Sequence, residues 1–506
     1  MRLNILIGGK AGQGINKISE IVSCTLTAHG YFIFNYRDYP SIIRGGHNFN
    51  VLSISDEKIS SHESRIQGIV AMDDKTIGLH EKELEQDGFS IKPDEFLEFG
   101  RNLNVALAGA LIKILGIKKE LLLEEIKEQL NNPESIKAAE AGFASQKEKF
   151  NLKKLNNKLT ILNGSEAVAQ GAINSKLDIY LAYPMTPATP VLHELASKQI
   201  ENKFLVFQPE NEIAVANAAL GASFSGAKVM VGTSGGGFDL MTEALSLQGI
   251  SEIPLTVYLA SRPGPGTSIP TYTLQNDLDI ALRGGHGEFP RVVIAPGNPK
   301  ESAETTNQAL YLAQKFNTLS IILSDKHLGE SAFSFSEKIN PPLKVEVKRT
   351  VPGEKVVRAS SYEHDKFGNT TEDGQIAVEN ADNRMKKYQE IKKECEKFEM
   401  IKFHGKKDSK NLIIGWGSTA GAITDAIKGL DFKFLQVIYL KPLSNQIKTE
   451  MEKAKKVILI ENNVTGQLGR LIREKTGISI PKENRILKYD GRPFRSDELR
   501  EEILKK

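Results

Sequence analysis

The chain has 506 residues, too many for one hydrophobic core, and at roughly 150 residues per domain its length predicts about three domains. Its 66 basic and 63 acidic residues are mixed along the chain and leave a net charge of +3, which excludes the basic footprint of a nucleic-acid-binding protein. Two distant cysteines, Cys24 and Cys395, exclude a disulfide framework and an iron–sulfur cluster ligated by this chain alone. With no cleavable signal at the first residues and no apolar run approaching ~18 residues, the sequence predicts a cytoplasmic protein without a membrane span.

LNILIGG reads as a strand, KISEIVSCTLTAHG as a helix and YFIFNYRD as the next strand, a βαβ opening. Gly8, Gly9, Gly12 and Gly14 fall between the first strand and the helix, where glycine lets backbone amides approach a phosphate. Their order, G-x-x-G-x-G, is neither the dinucleotide fingerprint nor a Walker loop, and a tight strand-to-helix turn explains it equally well. A second glycine turn with Arg44, Gly45 and Gly46 follows, and the two together make an anion-binding loop at Gly9, Gly12, Gly14 and Arg44 a candidate. NVALAGALIKILGI and KKELLLEEIKEQL have helical spacing, whereas Asn131 to Leu155 is charged, Ala-rich and weakly patterned. The first unit is therefore placed at residues 1–155.

From residue 156 to 337, strand-like runs (LDIYLAYP, KVMVGTSGGG, IPLTVYLA, RVVIAP) alternate with helices, which argues a parallel, doubly wound sheet. Residues 338–408 read as an extended connector ending in the polar surface helix NRMKKYQEIKKECEKFEM, and residues 409–506 as a smaller α/β unit. In the middle unit, QPENEIAVANAALGASF opens with Glu210 and Glu212 before small apolar residues. The plain explanation is helix electrostatics, since carboxylates suit a first turn. Arg262 in LASRPG reads by itself as a surface ion-pair partner, and Thr186 in YPMTP as an N-cap. The nine histidines show no paired metal spacing, so no metal site is expected in this chain, and Glu363, His364 and Asp365 are accounted for by a hydrogen-bonded turn.

Read in order, YLAYPMTPATP, QPENEIAVANAALGASF, VGTSGGGFDLMTEALSL and YLASRPGPGTSIPT resemble the alpha subunit of 2-oxoacid:ferredoxin oxidoreductases. GGKAGQG with RGGHNFN is similar to that family's gamma domain, fused in front, and ENNVTGQLGRLI with KYDGRPF to its transketolase-like C-terminal domain. The resemblance implies three α/β domains: gamma-type, thiamine-diphosphate pyrimidine-type and transketolase C-terminal-like. The implied reaction is oxidative decarboxylation of a 2-oxoacid, with acyl transfer to coenzyme A and electrons passed to ferredoxin. Two departures, Met185 for the usual isoleucine and Gly235-Gly236-Gly237 for a Gly-Pro-Gly turn, remove no functional group.

Thiamine chemistry asks the protein for a carboxyl group at the pyrimidine ring nitrogen. In thiamine enzymes that carboxylate stands nine positions before a helix glycine; Gly221 minus nine is Glu212, leaving Glu210 to solvate or cap. Ala214, Ala216, Ala218, Ala219 and Gly221 are expected to let the helix lie close to the cofactor. The resemblance places Arg262 at the substrate carboxylate and Thr186 as the hydroxyl that meets the substrate, with Tyr183 shaping the loop, and Thr233, Ser234, Gly235 and Gly236 against the cofactor ring. No Gly-Asp-Gly module followed by asparagine is present, only EDG at 372–374 and YDG at 489–491. A beta subunit is therefore expected to bring the diphosphate, Mg²⁺ and a [4Fe-4S] cluster, in a heterodimer or a dimer of heterodimers. The separate-subunit layout with a fused gamma domain is similar to 2-oxoglutarate or broad-specificity enzymes, ahead of pyruvate and branched-chain ones. A nicotinamide-dependent dehydrogenase built on the glycine loop, or a noncatalytic assembly subunit, are the alternatives.

Overall fold

The computed structural model describes residues 1–41, 46–345, 354–355 and 357–506, built on three β-sheets that bear out the α/β class. The first apolar run forms β1 (Arg2–Lys10), buried from Leu3 to Gly9, and α1 (Ile15–Ala28) leads to β2 (Phe32–Asp38). These strands do not touch. β3 (His47–Ser55) lies between them, antiparallel to both, so the opening is a mixed sheet and not a plain βαβ unit. The polar half HNFN disguises β3 in the sequence, while its second half, buried to Ser55, makes it a central strand. Beyond β1, β4 (Ile66–Ala71), α2 (Asp74–His80) and the largely exposed edge strand β5 (Leu84–Ile91) extend the sheet in parallel.

Helices α3 (Leu103–Ile114), α4 (Lys119–Gln129) and α5 (Pro133–Ser145) pack behind this sheet. The weakly patterned stretch thus contains a helix. A Cβ on Gly109 or Gly142 would run into the carbonyl of Ala139 or Ala106. Small residues let α3 and α5 approach closely, and a face built from Ala and Gly gives little hydrophobic periodicity to read.

The chain then forms β6 (Thr160–Asn163), α6 (Gly164–Asn174), β7 (Ile179–Ala182), α7 (Thr189–Asn202), β8 (Leu205–Phe207) and α8 (Glu212–Phe224). It continues through β9 (Val229–Thr233), α9 (Gly235–Ser251), β10 (Leu255–Ser261), α10 (Leu278–Arg283), β11 (Arg291–Ile294) and α11 (Pro299–Phe316). β12 (Leu319–Asp325), α12 (Lys326–Glu330) and β13 (Ala332–Phe335) complete the stretch. Six strands form a parallel sheet in the order β11-β12-β10-β9-β7-β8. β9, β10 and β12 are buried at every residue, as parallel strands covered on both faces must be. β6 and β13 instead pair with each other and, through β13, cover the open edge of β2 in the first sheet.

The helix α13 (Gly374–Cys395) is polar and docks on the middle core through Ile391 and Cys395. The last part holds β14 (Ile401–Gly405), β15 (Asn411–Trp416), α14 (Thr419–Ala426), β16 (Lys433–Val437), β17 (Tyr439–Lys441) and α15 (Gln446–Lys453). β18 (Lys456–Glu461), α16 (Gln467–Thr476), β19 (Arg485–Leu487) and α17 (Ser496–Lys505) follow. Its sheet runs β14-β16-β15-β18-β19, but β17 leaves it and pairs antiparallel with β11, stitching the last unit to the middle one.

One topological feature positions the site. From β7 the chain moves outward to β8, then returns through α8 to β9 on the other side of β7. In open α/β sheets ligands bind beyond the carboxyl ends of the strands at such a switch point. The segments leaving β7, β8, β9 and β10 there carry Tyr183–Thr186, Glu210–Glu212, Ser234–Gly235 and Arg262.

Candidate active site

Helix α8 begins at Glu212 because Asn211 caps it, its side chain accepting from the Ala214 amide at 2.9 Å. Glu210 therefore neither caps nor joins the helix; it lies exposed on the preceding turn. Glu212 is 3% exposed and its Oε1 has no hydrogen-bond partner. It faces the first turn of α9: a Cβ on Gly237 would overlap Thr233 Oγ1 and stand 2.7 Å from Glu212 Oε1. Only glycine at 237 leaves the carboxyl room, which is what the three-glycine turn supplies.

Thr233 and Ser234 are fully buried, and the Ser234 hydroxyl, at the N-cap of α9, is unpartnered. The α9 N-terminus adds amides without intrahelical acceptors and the positive end of a 17-residue helix dipole. The alanine surface expected along α8 is divided. Ala216 and Ala219 are buried in the unit's own core, while Ala218 and Gly221 are exposed. At 100° per residue, neighbours so closely spaced cannot all share one face.

On the neighbouring strand ends, Arg262 Nη1 donates to the Thr186 carbonyl at 2.8 Å, joining the loops after β7 and β10. Thr186 does not cap α7, whose N-cap is Ala188, and Tyr183 is exposed beside it. Burial lowers the Arg262 guanidinium from its usual value and the charge of Asp277 restores part of it. Asp277 is a site residue the sequence reading missed. Burial pushes its carboxyl up to about 6, with Ser261 drawing it back and Asp239 reinforcing the rise. Its Oδ2 and Asn276 Oδ1 are buried, and no hydrogen bond within 3.5 Å completes either. The only sequence signal was QND ahead of an apolar run, which reads as an N-cap.

The loop carrying these groups is clamped from behind. Gln275 exchanges hydrogen bonds with Asn462 (2.7 and 2.9 Å) and donates to the Trp416 carbonyl at 2.7 Å, and Gln467 Nε2 donates to the Asn276 carbonyl at 2.8 Å. Glu461, wholly buried, accepts from Trp416 Nε1, Asn463 Nδ2 and the Leu468 and Gly469 amides, which fixes the turn into α16. Arg492 stacks 3.6 Å over the Tyr272 ring and pairs with Asp38 of β2 at 3.1 Å. The ENNVTGQ and DGR segments thus hold the loop that carries Asn276 and Asp277.

The N-terminal glycine loop is a tight turn with specific packing. Gly8 and Gly9 lie inside β1, and not after it. A Cβ on Gly9 would stand 2.5 Å from Gln13 Oε1, which already accepts from the Lys10 amide at 2.6 Å; one on Gly14 would overlap Asn104. Gly12 needs glycine only for its φ of 91°. Arg44 lies outside the described residues. Glu363, His364 and Asp365 do form a hydrogen-bonded turn, with Asp365 accepting from the Phe367 and Asn369 amides. Among the described residues no group of three or more His, Cys, Asp or Glu is arranged to hold a metal, and no helix is long and apolar enough to cross a membrane.

A doubly wound sheet with an unpartnered carboxyl at its switch point defines a cofactor-binding α/β enzyme domain. Comparison with known proteins makes the class specific. Residues 170–400 match the family model for pyruvate flavodoxin/ferredoxin oxidoreductase, thiamine diphosphate-binding, and residues 4–96 match pyruvate ferredoxin/flavodoxin oxidoreductase. The 2-oxoacid:ferredoxin oxidoreductase subunit alpha of a Sulfolobus species is 30% identical, the alignment covering 100% of this chain and 97% of that one. The 2-oxoglutarate synthase subunit KorA of Archaeoglobus fulgidus is 38% identical over 34% of this chain and 49% of its own. A solved 2-oxoglutarate:ferredoxin oxidoreductase from Magnetococcus marinus, with 2-oxoglutarate, coenzyme A and succinyl-CoA bound, superposes with a TM-score of 0.89 at 25% identity over 99% of both chains. The chain belongs to the alpha subunits of the 2-oxoacid:ferredoxin oxidoreductases, and not to the nicotinamide-dependent dehydrogenases.

Proposed function

We propose that this chain supplies the pyrimidine-side wall of a thiamine diphosphate site and the anchor for a 2-oxoacid carboxylate, and that its substrate is 2-oxoglutarate. The observation that carries the reading is Glu212 Oε1, buried, unpartnered and given space by Gly237. A buried carboxyl without a partner costs free energy, and a ring nitrogen of the coenzyme is the group that would complete it. When bound, thiamine diphosphate supplies the nucleophilic carbon and the electron sink that decarboxylation of a 2-oxoacid requires. Glu212 holds the proton at the aminopyrimidine nitrogen, and Thr233, Ser234, Gly235 and Gly236 form the wall beside it. Arg262 binds the substrate carboxylate from a position fixed by Thr186, with Tyr183 at the mouth of the pocket.

A beta subunit brings the diphosphate and Mg²⁺ module and a [4Fe-4S] cluster, because two cysteines cannot ligate one here. Coenzyme A takes the acyl group and ferredoxin the electrons. The choice of 2-oxoglutarate is supported by the names of the Archaeoglobus and Magnetococcus relatives. The test is purification with its partner subunit, then assay of the complex and of the isolated chain against several 2-oxoacids with coenzyme A and a viologen acceptor. The expected result is 2-oxoglutarate turnover by the complex alone, and an Arg262→Ala complex with a KM at least about tenfold higher, the size of one lost charge-assisted contact. Turnover by the isolated chain would refute the shared site.

A further inference from the structure

Asp277 stands at the N-cap of α10 but makes no cap hydrogen bond. That role is filled from another part of the chain. Gln467 Oε1, on α16, accepts from the Leu278 amide at 3.0 Å and lies 3.4 Å from that of Asp279. Relieved of capping, the Asp277 carboxyl turns toward α9: a Cβ on Gly235 would stand 2.7 Å from its Oδ1 and 2.8 Å from its Oδ2. The first turn of α9 therefore separates two buried carboxyls, Glu212 beside Gly237 and Asp277 beside Gly235.

The charged groups around Asp277 are few. Arg262 approaches from the loop after β10 and Asp239 from α9. On its own helix, Asp279 is exposed and engaged by Arg470 of α16 and by Arg283. No described residue pairs with Asp277 as an ion pair within 4 Å. Beside the Ser261 hydroxyl, the one cation that offsets its charge is a half-buried Arg262 that must also receive the substrate.

We propose that Asp277 is a positioning residue of the 2-oxoacid pocket, and that it takes up a proton from solvent as the substrate carboxylate engages Arg262. The inference rests on Arg262 being the carboxylate anchor. Two carboxylates sharing one guanidinium raise each other's proton affinity, and Asp277 is already held near 6 by burial, so it is the one that protonates. Loss of that carboxylate as CO2 removes the second negative charge and returns the proton to solvent. The pocket therefore favours the doubly compensated arrangement of bound anion and neutral Asp277, and substrate affinity falls as pH rises.

The experiment is the pH profile of KM and kcat for 2-oxoglutarate, from pH 5.5 to 8.5, on the assembled enzyme carrying wild-type, Asp277→Asn or Arg262→Ala alpha chains. The wild-type KM should climb above about pH 6 with a slope no steeper than tenfold per unit, the limit for one proton. Asp277→Asn, uncharged and of the same shape, should lose the pH slope in KM, so that its KM at pH 8.5 stays within about twofold of its KM at pH 5.5. A flat wild-type profile, which needs no variant, or a slope that survives in Asp277→Asn, would overturn the proposal. An equal rise of the Asp277→Asn KM at every pH would show a structural role only and overturn it too. If Arg262→Ala leaves KM unchanged, it is the anchor reading that fails; if Arg262→Ala raises KM and the slope survives in Asp277→Asn, this inference alone fails.

Discussion

Glu210 and Glu212 are two residues apart and chemically identical, yet the fold gives them opposite surroundings. Glu210 is exposed outside the helix, whereas Glu212 is enclosed against α9 with one oxygen unpaired. In the assembled enzyme Glu212→Gln keeps the volume and removes the acid, so 2-oxoacid-dependent viologen reduction should fall by at least ~100-fold, the lower range for a lost general acid–base group. Glu210→Gln should retain most activity, and the reverse ranking would exclude Glu212 as the pyrimidine partner. Arg262 is legible as a cation near a loop, but its bond to the Thr186 carbonyl is what aims it.

At the scale of elements, the turn from β9 into α9 is shaped by what it must not contain. Gly235 and Gly237 keep Cβ atoms away from Asp277 and from Glu212 and Thr233. Gly237→Ala inserts one methyl into that space without disturbing helix propensity, since alanine is the better helix former. The helix should survive while the coenzyme's affinity drops at least about tenfold, the consequence of overpacking worth ~1–3 kcal/mol. Titrating thiamine diphosphate into the assembled apo complex, followed by activity and by melting temperature, checks both halves of that expectation.

At the scale of the whole molecule, two buried histidines from distant segments pack on β2 of the first sheet. His62 stacks on Tyr36 at 4.6 Å, and His327 lies against Phe34 and Tyr36. Burial holds both neutral: His62 far below its ordinary range, and His327 pushed down to about 3. The folded chain thus binds fewer protons than the unfolded one once pH drops below ~6.5, the ordinary histidine value, so stability must fall with pH there. At the limit each histidine costs ~1.4 kcal/mol per pH unit. Denaturant midpoints measured from pH 7 to pH 4.5 should decline, and His327→Gln should make the decline shallower; a pH-independent midpoint would contradict neutral burial.

Periodicity and turn residues were enough to place the parallel sheet, because its strands are short apolar runs between glycine and proline turns, whereas Glu212, Thr186 and Arg262 stood out only through the family resemblance. Local pattern also has clear limits here. β3 hides behind HNFN, α5 behind alanine and glycine, and β17 behind a three-residue run that pairs with another unit. Asp277 was missed because nothing in QND shows that Gln467, far along the chain, takes its capping bonds. The sequence by itself determined which side chains could carry acid–base and anion-binding chemistry, since those are properties of residue type and local turn. Only the tertiary structure decided which carboxyls are buried and unpaired, because desolvation and capping depend on neighbours that the chain brings together from far apart.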